Sequence, residues 1–76
     1  MTSLKVYRMV RDEDMSGVSG TGLVGEVVEF SDGIVVVRWL TEYRSTVVYA
    51  SLADAIRIHG HDGRTRFVQV YELVAA

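Results

Sequence analysis

The sequence of 76 residues contains no cysteine. Neither a disulfide nor a thiolate metal site can therefore reinforce its core, and the absence fits a reducing cytoplasm. A chain this short buries only about 60% of the surface that its unfolded form exposes. Without a staple, such a core rarely supplies more than roughly 3–5 kcal/mol. Self-association is one remaining way to add buried area. Long apolar runs are also missing: none exceeds the length of Ile34-Val35-Val36-Val37, far below the roughly 20 residues of a membrane span. The start, Met1-Thr2-Ser3-Leu4-Lys5-Val6-Tyr7-Arg8, lacks the apolar stretch of a signal peptide. A cytoplasmic protein without a membrane partner is expected.

An excess of basic charge is missing as well. The net charge is −2 and the sequence pI is near 5.5, whereas nucleic-acid binders usually carry a basic patch that neutralises phosphates. The basic residues Lys5, Arg8, Arg11, Arg38, Arg44, Arg57, Arg64 and Arg66 are dispersed, and Asp12-Glu13-Asp14 sits beside Arg11. Nor does any serine or threonine stand in a context that marks a nucleophile with a base in reach. Asp62 followed by Arg64 could orient His61 as a base, but a charged, solvated turn explains the same residues. No catalytic function and no cofactor are expected.

What is present reads as one small domain spanning residues 1–76. Alternation of apolar and polar residues and strand-forming composition predict a first strand over Leu4–Val10. The polar, glycine-rich stretch from Arg11 to Gly22 follows. A loop of about a dozen residues is long for a compact domain, and such loops often carry function. A second strand is expected over Leu23–Phe30. Its Glu26 and Glu29 are three apart, so strict alternation cannot place both on one face, and a bulge or bend near Gly25 would resolve this. Ser31-Asp32-Gly33 supplies a tight turn with Gly33 suited to positive φ. A third strand follows over Ile34–Leu40.

Thr41–Ser45 is a polar connection, and Thr46–Tyr49 a short fourth strand. Ser51 can cap a helix with Asp54 in its first turn. Leu52, Ala55, Ile56 and His59 then fall on one face of two helical turns, and Gly60 ends the helix. After a turn at Asp62-Gly63, Arg66–Leu73 forms the last strand. The order suits a mainly β fold: a small five-stranded antiparallel SH3-like barrel with one short helix before the last strand. An OB-type barrel also has five strands, but they are longer.

Two motifs suggest chemistry. Gly20-Thr21-Gly22-Leu23-Val24-Gly25 matches the G-x-G-x-x-G spacing, but that fingerprint needs a following helix N-terminus to receive a pyrophosphate, and a strand is expected here. His59-Gly60-His61-Asp62 offers two imidazoles and a carboxylate, the ligand types of zinc sites. A third histidine and any cysteine are lacking, and His59 falls on the apolar helix face, where a buried, hydrogen-bonded imidazole is the commoner explanation. No metal is expected.

The aromatic–arginine neighbours Tyr7-Arg8, Arg38-Trp39, Tyr43-Arg44 and Arg66-Phe67 supply ingredients for base stacking. Adjacent strand residues point to opposite faces, however, so no such pair builds one platform. In the third strand Val35, Val37 and Trp39 face one way and Ile34, Val36 and Leu40 the other. A barrel interior covers one face. The helix or the long loop could cover the second; otherwise an apolar patch remains, and such patches mark interfaces. The tail from Tyr71 to Ala76 adds apolar surface.

Val18-Ser19-Gly20-Thr21-Gly22, Phe30-Ser31-Asp32-Gly33, Val37-Arg38-Trp39, Ser45-Thr46 and the segment from Ile58 to Thr65 together resemble a family of small proteins from actinobacteria and their phages, over most of residues 8–68. Gly25-Glu26-Val27 with Asp32-Gly33 is similar to the core of KOW and Tudor-like barrels. The first resemblance implies a bacterial cytoplasm and, for a phage-encoded chain, an accessory protein that binds a host protein. It brings no catalytic residue. The expected function is thus a non-enzymatic binding module with a protein partner or self-association, nucleic acid being the alternative. Its candidate partner-binding residues are Tyr43, Arg44, His61, Asp62 and Arg64, in loops of the kind that carry binding on a rigid scaffold.

Overall fold

The computed structural model describes residues 2–11, 22–41, 43–59 and 65–75. Strands β1 (Thr2–Arg11), β2 (Gly22–Glu29), β3 (Val35–Trp39) and β4 (Thr46–Tyr49) are followed by helix α1 (Leu52–His59) and strand β5 (Thr65–Ala75). All neighbours pair antiparallel in one sheet of order β4-β3-β2-β1-β5. β1 and β5 run longer than their sequence patterns predict, because each supplies the other with a pairing partner from Thr2↔Ala75 to Arg11↔Thr65.

The fold is mainly β with one helix, as expected, but the sheet is not closed. β4 and β5 lie at opposite edges, and no pairing joins them among the described residues. The two-turn helix expected before the last strand forms as α1 over Leu52–His59, and it packs on the core side of β3 and β4. The Ser51 Oγ accepts from the Asp54 N–H at 3.1 Å, which satisfies one free donor of the first turn. Ala55 is buried as its helical position predicts; Ile56 is exposed, contrary to expectation.

Tyr7, Met9, Val24, Val27, Val35, Val37 and Ala55 form the core, with Trp39, Tyr49, Leu52 and Phe67 packed against it. The sides of β3 assigned from alternation hold: Val35 and Val37 are buried, and Val36 points the other way. Two irregularities set which side chains reach this face. The β1–β2 register shifts so that Met9 pairs with Gly25 and Val10 with Leu23, leaving Val24 as the extra, buried residue. This is the bulge expected near Gly25. It lies before both glutamates, however, so it does not bring them together: Glu26 pairs with exposed Arg8, while Glu29 accepts from the Tyr7 hydroxyl on the core side. The β1–β5 register shifts at Val70, since Val6 pairs with Tyr71 and Tyr7 with Gln69. That second bulge turns Tyr71 and Leu73 away from the core face on which Phe67 lies.

The β2–β3 turn forms as read. The Gly33 φ is 94°, a conformation that favours glycine. The Asp32 Oδ1 accepts from the Ile34 N–H at 3.0 Å. No helix among the described residues is long and apolar enough to cross a membrane.

Candidate functional sites at the sheet end and on the open face

Antiparallel pairing gathers several chain connections at one end of the sheet. Arg11, the last residue of β1, pairs with both Gly22 and Thr65, so the segments 12–21 and 60–64 both start or finish there. Trp39 closes β3 at the same end, and its N–H donates to the Ser45 carbonyl at 2.8 Å across the 40–45 connection. The three loops singled out from the sequence are thus anchored to one edge of the scaffold.

A polar and aromatic cluster lies between these anchors. Arg11, read from sequence as the first loop residue, ends β1 instead and is only 3% exposed. The Arg11 Nε donates to the Thr65 Oγ1 at 3.0 Å, and the guanidinium carbon stands 5.9 Å from the Trp39 ring centroid. The His59 ring meets Trp39 edge-on with centroids 4.9 Å apart and meets Tyr49 likewise at 5.4 Å. The His59 Nε2 is hydrogen-bonded to the Tyr49 hydroxyl. The His59 imidazole is hydrogen-bonded, as anticipated from its helical position, but half-buried rather than buried.

Among the described residues, the electrostatics of this cluster are one-sided. The guanidinium is always charged, and no carboxylate among the described residues pairs with it. A hydroxyl and an aromatic face solvate the cation without neutralising it. Beside it, an imidazole and a phenol share a hydrogen bond and can hold or pass a proton. The described residues thus put a cation next to a proton donor–acceptor pair.

Of the residues proposed from sequence, Tyr43 is 73% exposed and Arg44 is exposed, both between β3 and β4. His61, Asp62 and Arg64 lie outside the described residues. No group of three or more His, Cys, Asp or Glu among the described residues is placed to hold a metal ion. The glycine fingerprint leads into β2, so its expected lack of a following helix holds. Arg11, Trp39, Tyr49 and Thr65 escaped the sequence reading because only the β1–β5 pairing and the packing of α1 on β3 and β4 gather them.

The open face of the sheet is the second candidate. Val48 pairs with Val36, Val36 with Val28, Val28 with Val6, and Val6 with Tyr71. Directly paired residues share a face, so one apolar row crosses all five strands opposite the core. Leu4 and Leu73, also paired, extend it. Val48 and Tyr71 are 64% and 53% exposed, so neither the helix nor any other described segment covers the ends of the row. The adjacent row is Thr46, Arg38, Glu26, Arg8 and Val68.

Comparison with known proteins decides the family. The model of the Acb5 phage protein family matches residues 4–71. The chain belongs to the Acb5 phage protein family. The match reaches all five strands, so both the cluster around Arg11 and most of the open face of this Acb5-family chain lie within it. No curated protein and no solved structure matches.

Proposed function

We propose that this phage protein is a non-enzymatic binding module that meets a protein, one of the bacterial host or another copy of itself, through the open face of its sheet. The observation that carries this reading is the row Val48–Val36–Val28–Val6–Tyr71. A contiguous apolar surface of this kind is uncommon on a monomer that has no partner. The return of β5 to pair beside β1, after a helix, supports a relation to SH3-like modules, although the edges here stay apart. A cytoplasmic site of action fits a chain that uses no cysteine.

The test is affinity capture from nuclease-treated host lysate with the intact chain and with Val48→Lys and Tyr71→Lys. A protein retained by the parent and lost with both variants supports the reading. A protein retained by both variants overturns it. Capture that vanishes on nuclease treatment moves the function to nucleic acid. That alternative draws on Tyr43, Arg44 and the arginines of the charged row, but Glu26 stands between Arg8 and Arg38 and opposes a phosphate backbone there.

A second reading rests on Arg11. A buried cation that no carboxylate among the described residues neutralises is costly, and a ligand anion is one way to balance it. The cluster would receive a small oxyanion-bearing molecule, phosphate or carboxylate, with Thr65 and the His59–Tyr49 pair as polar partners and Trp39 as an apolar wall. Thermal-shift titration with inorganic phosphate and with acetate tests it. Stabilisation of the parent, absent from Arg11→Met, supports the site; equal response of the two chains removes it.

A further inference from the structure

We infer that the occupant of the open face is a second copy of this chain, laid face to face with the first, an inference that rests on the protein-binding reading above. Three observations point to self-pairing. The first is the one-sided core. Its described buried apolar residues all lie on one face or under α1, which is little for a chain that has no disulfide or thiolate metal site to reinforce it. Oligomerisation is one remaining route to buried area.

The second is the shape and composition of the surface. Four valines and a tyrosine form a continuous row across five strands, with Leu4 and Leu73 beside it and Phe30 and Ile34 continuing β2 and β3 on the same side. Side chains of this kind fill the space between the two sheets of a sandwich, about 10 Å apart. The charged row Arg38, Glu26, Arg8 borders the patch on one side, which gives an apolar centre with a polar rim. A C2 pair needs just such a surface on both partners, since both use the same patch.

The third is size. Five strands spaced about 4.8 Å apart, carrying two apolar rows and the charged row that rims them, about 6.8 Å apart, span roughly 500 Å² on each copy. Two copies together bury about 1,000 Å², the lower bound of a specific interface. The exposed Val48 and Tyr71 stand at the two ends of the row, so the patch is open across its full width.

Sedimentation velocity on the purified chain over a concentration series tests the inference, with circular dichroism to verify folding. The parent is expected to sediment as a dimer that dissociates on dilution. Val48→Lys and Tyr71→Lys change side chains that are exposed in the single chain, so each should keep the β spectrum and raise the dissociation constant about tenfold or more. A parent chain that stays monomeric at every concentration overturns the inference. So does a dimer that survives both substitutions, since it would form elsewhere, for example along the unpaired edge of β5. A monomer whose capture of a host protein is lost in the same variants would end the second-copy inference while leaving the open face as the binding surface. A face-dependent dimer that captures no host protein would confirm the second copy.

Discussion

Arg11 and Thr65 are paired across the β1–β5 ladder, and the Arg11 Nε donates to the Thr65 Oγ1 at 3.0 Å where both residues are buried. The pair fixes a charged group at the point where the chain segments 12–21 and 60–64 meet the sheet. Truncating one partner of a buried polar pair and replacing a buried charge by an apolar group differ in cost. Arg11→Met keeps most of the side-chain volume and removes the charge, and Thr65 can turn its hydroxyl. Its unfolding free energy in urea should stay within about 1 kcal/mol of the parent value, while any stabilisation by added phosphate or acetate is abolished. A loss of several kcal/mol would show that the cation holds the fold together.

Tyr7 donates to the Glu29 Oε1 at 2.8 Å. Burial, then this hydrogen bond and the negative charge of Glu29, with a smaller contribution from Glu72, push the Tyr7 phenol up to about 12 from its usual 10. The folded state therefore holds this proton more tightly than the unfolded chain does. The resulting stability is fully present below pH 10 and is lost as the pH rises from 10 to 12. Tyr7→Phe should cost about 1 kcal/mol at neutral pH and flatten the decline above pH 10. Urea midpoints measured from pH 8 to 12 check both effects.

Gly25 pairs with Met9 at the β2 bulge. A Cβ there would come within 3.1 Å of the Met9 Sδ and 3.2 Å of the Arg38 carbonyl oxygen. The methionine end can move, but the carbonyl belongs to the β3 backbone. Gly25→Ala should destabilise the domain by about 1–3 kcal/mol through this crowding. Gly33→Ala meets nothing within 4 Å and should cost about 1–2 kcal/mol from its left-handed backbone alone. Denaturant melts of the two variants test whether packing or backbone conformation dominates at each glycine.

Ser51 caps the helix that carries His59 against Trp39. Ser51→Ala removes the acceptor for the Asp54 N–H and should cost about 1 kcal/mol, a drop of roughly 4–8 °C in Tm for a domain of this size. Trp39 is the only tryptophan, so its fluorescence reports on the His59 contact directly. The fluorescence transition and the circular-dichroism transition should move together.

Much of this architecture was legible locally. Thr46–Tyr49 matches β4 at both ends, the Asp32-Gly33 turn forms with its expected φ, Ser51 caps α1, and the two sides of β3 follow from alternation. The cluster around Arg11 was legible only at His59, whereas the open face was foreshadowed by Val36 and the Tyr71 tail. The reason lies in the range of the interactions: turn, cap and alternation are set by residues within a few positions of one another. Arg11 reaches Thr65 across 54 positions of sequence, and no local pattern announces that.

The sequence by itself determined that five strands and a two-turn helix form, and that β3 is apolar on both sides. Tertiary structure alone decided what those sides meet. The helix packs against Val35 and Val37, so Val36 and its row are left open. The extra residue at Val70 breaks the period of two, and Phe67 and Tyr71, which strict alternation would put together, lie on opposite faces. Pairing between β1 and β5 fixes that bulge, because register is a property of two strands rather than of one.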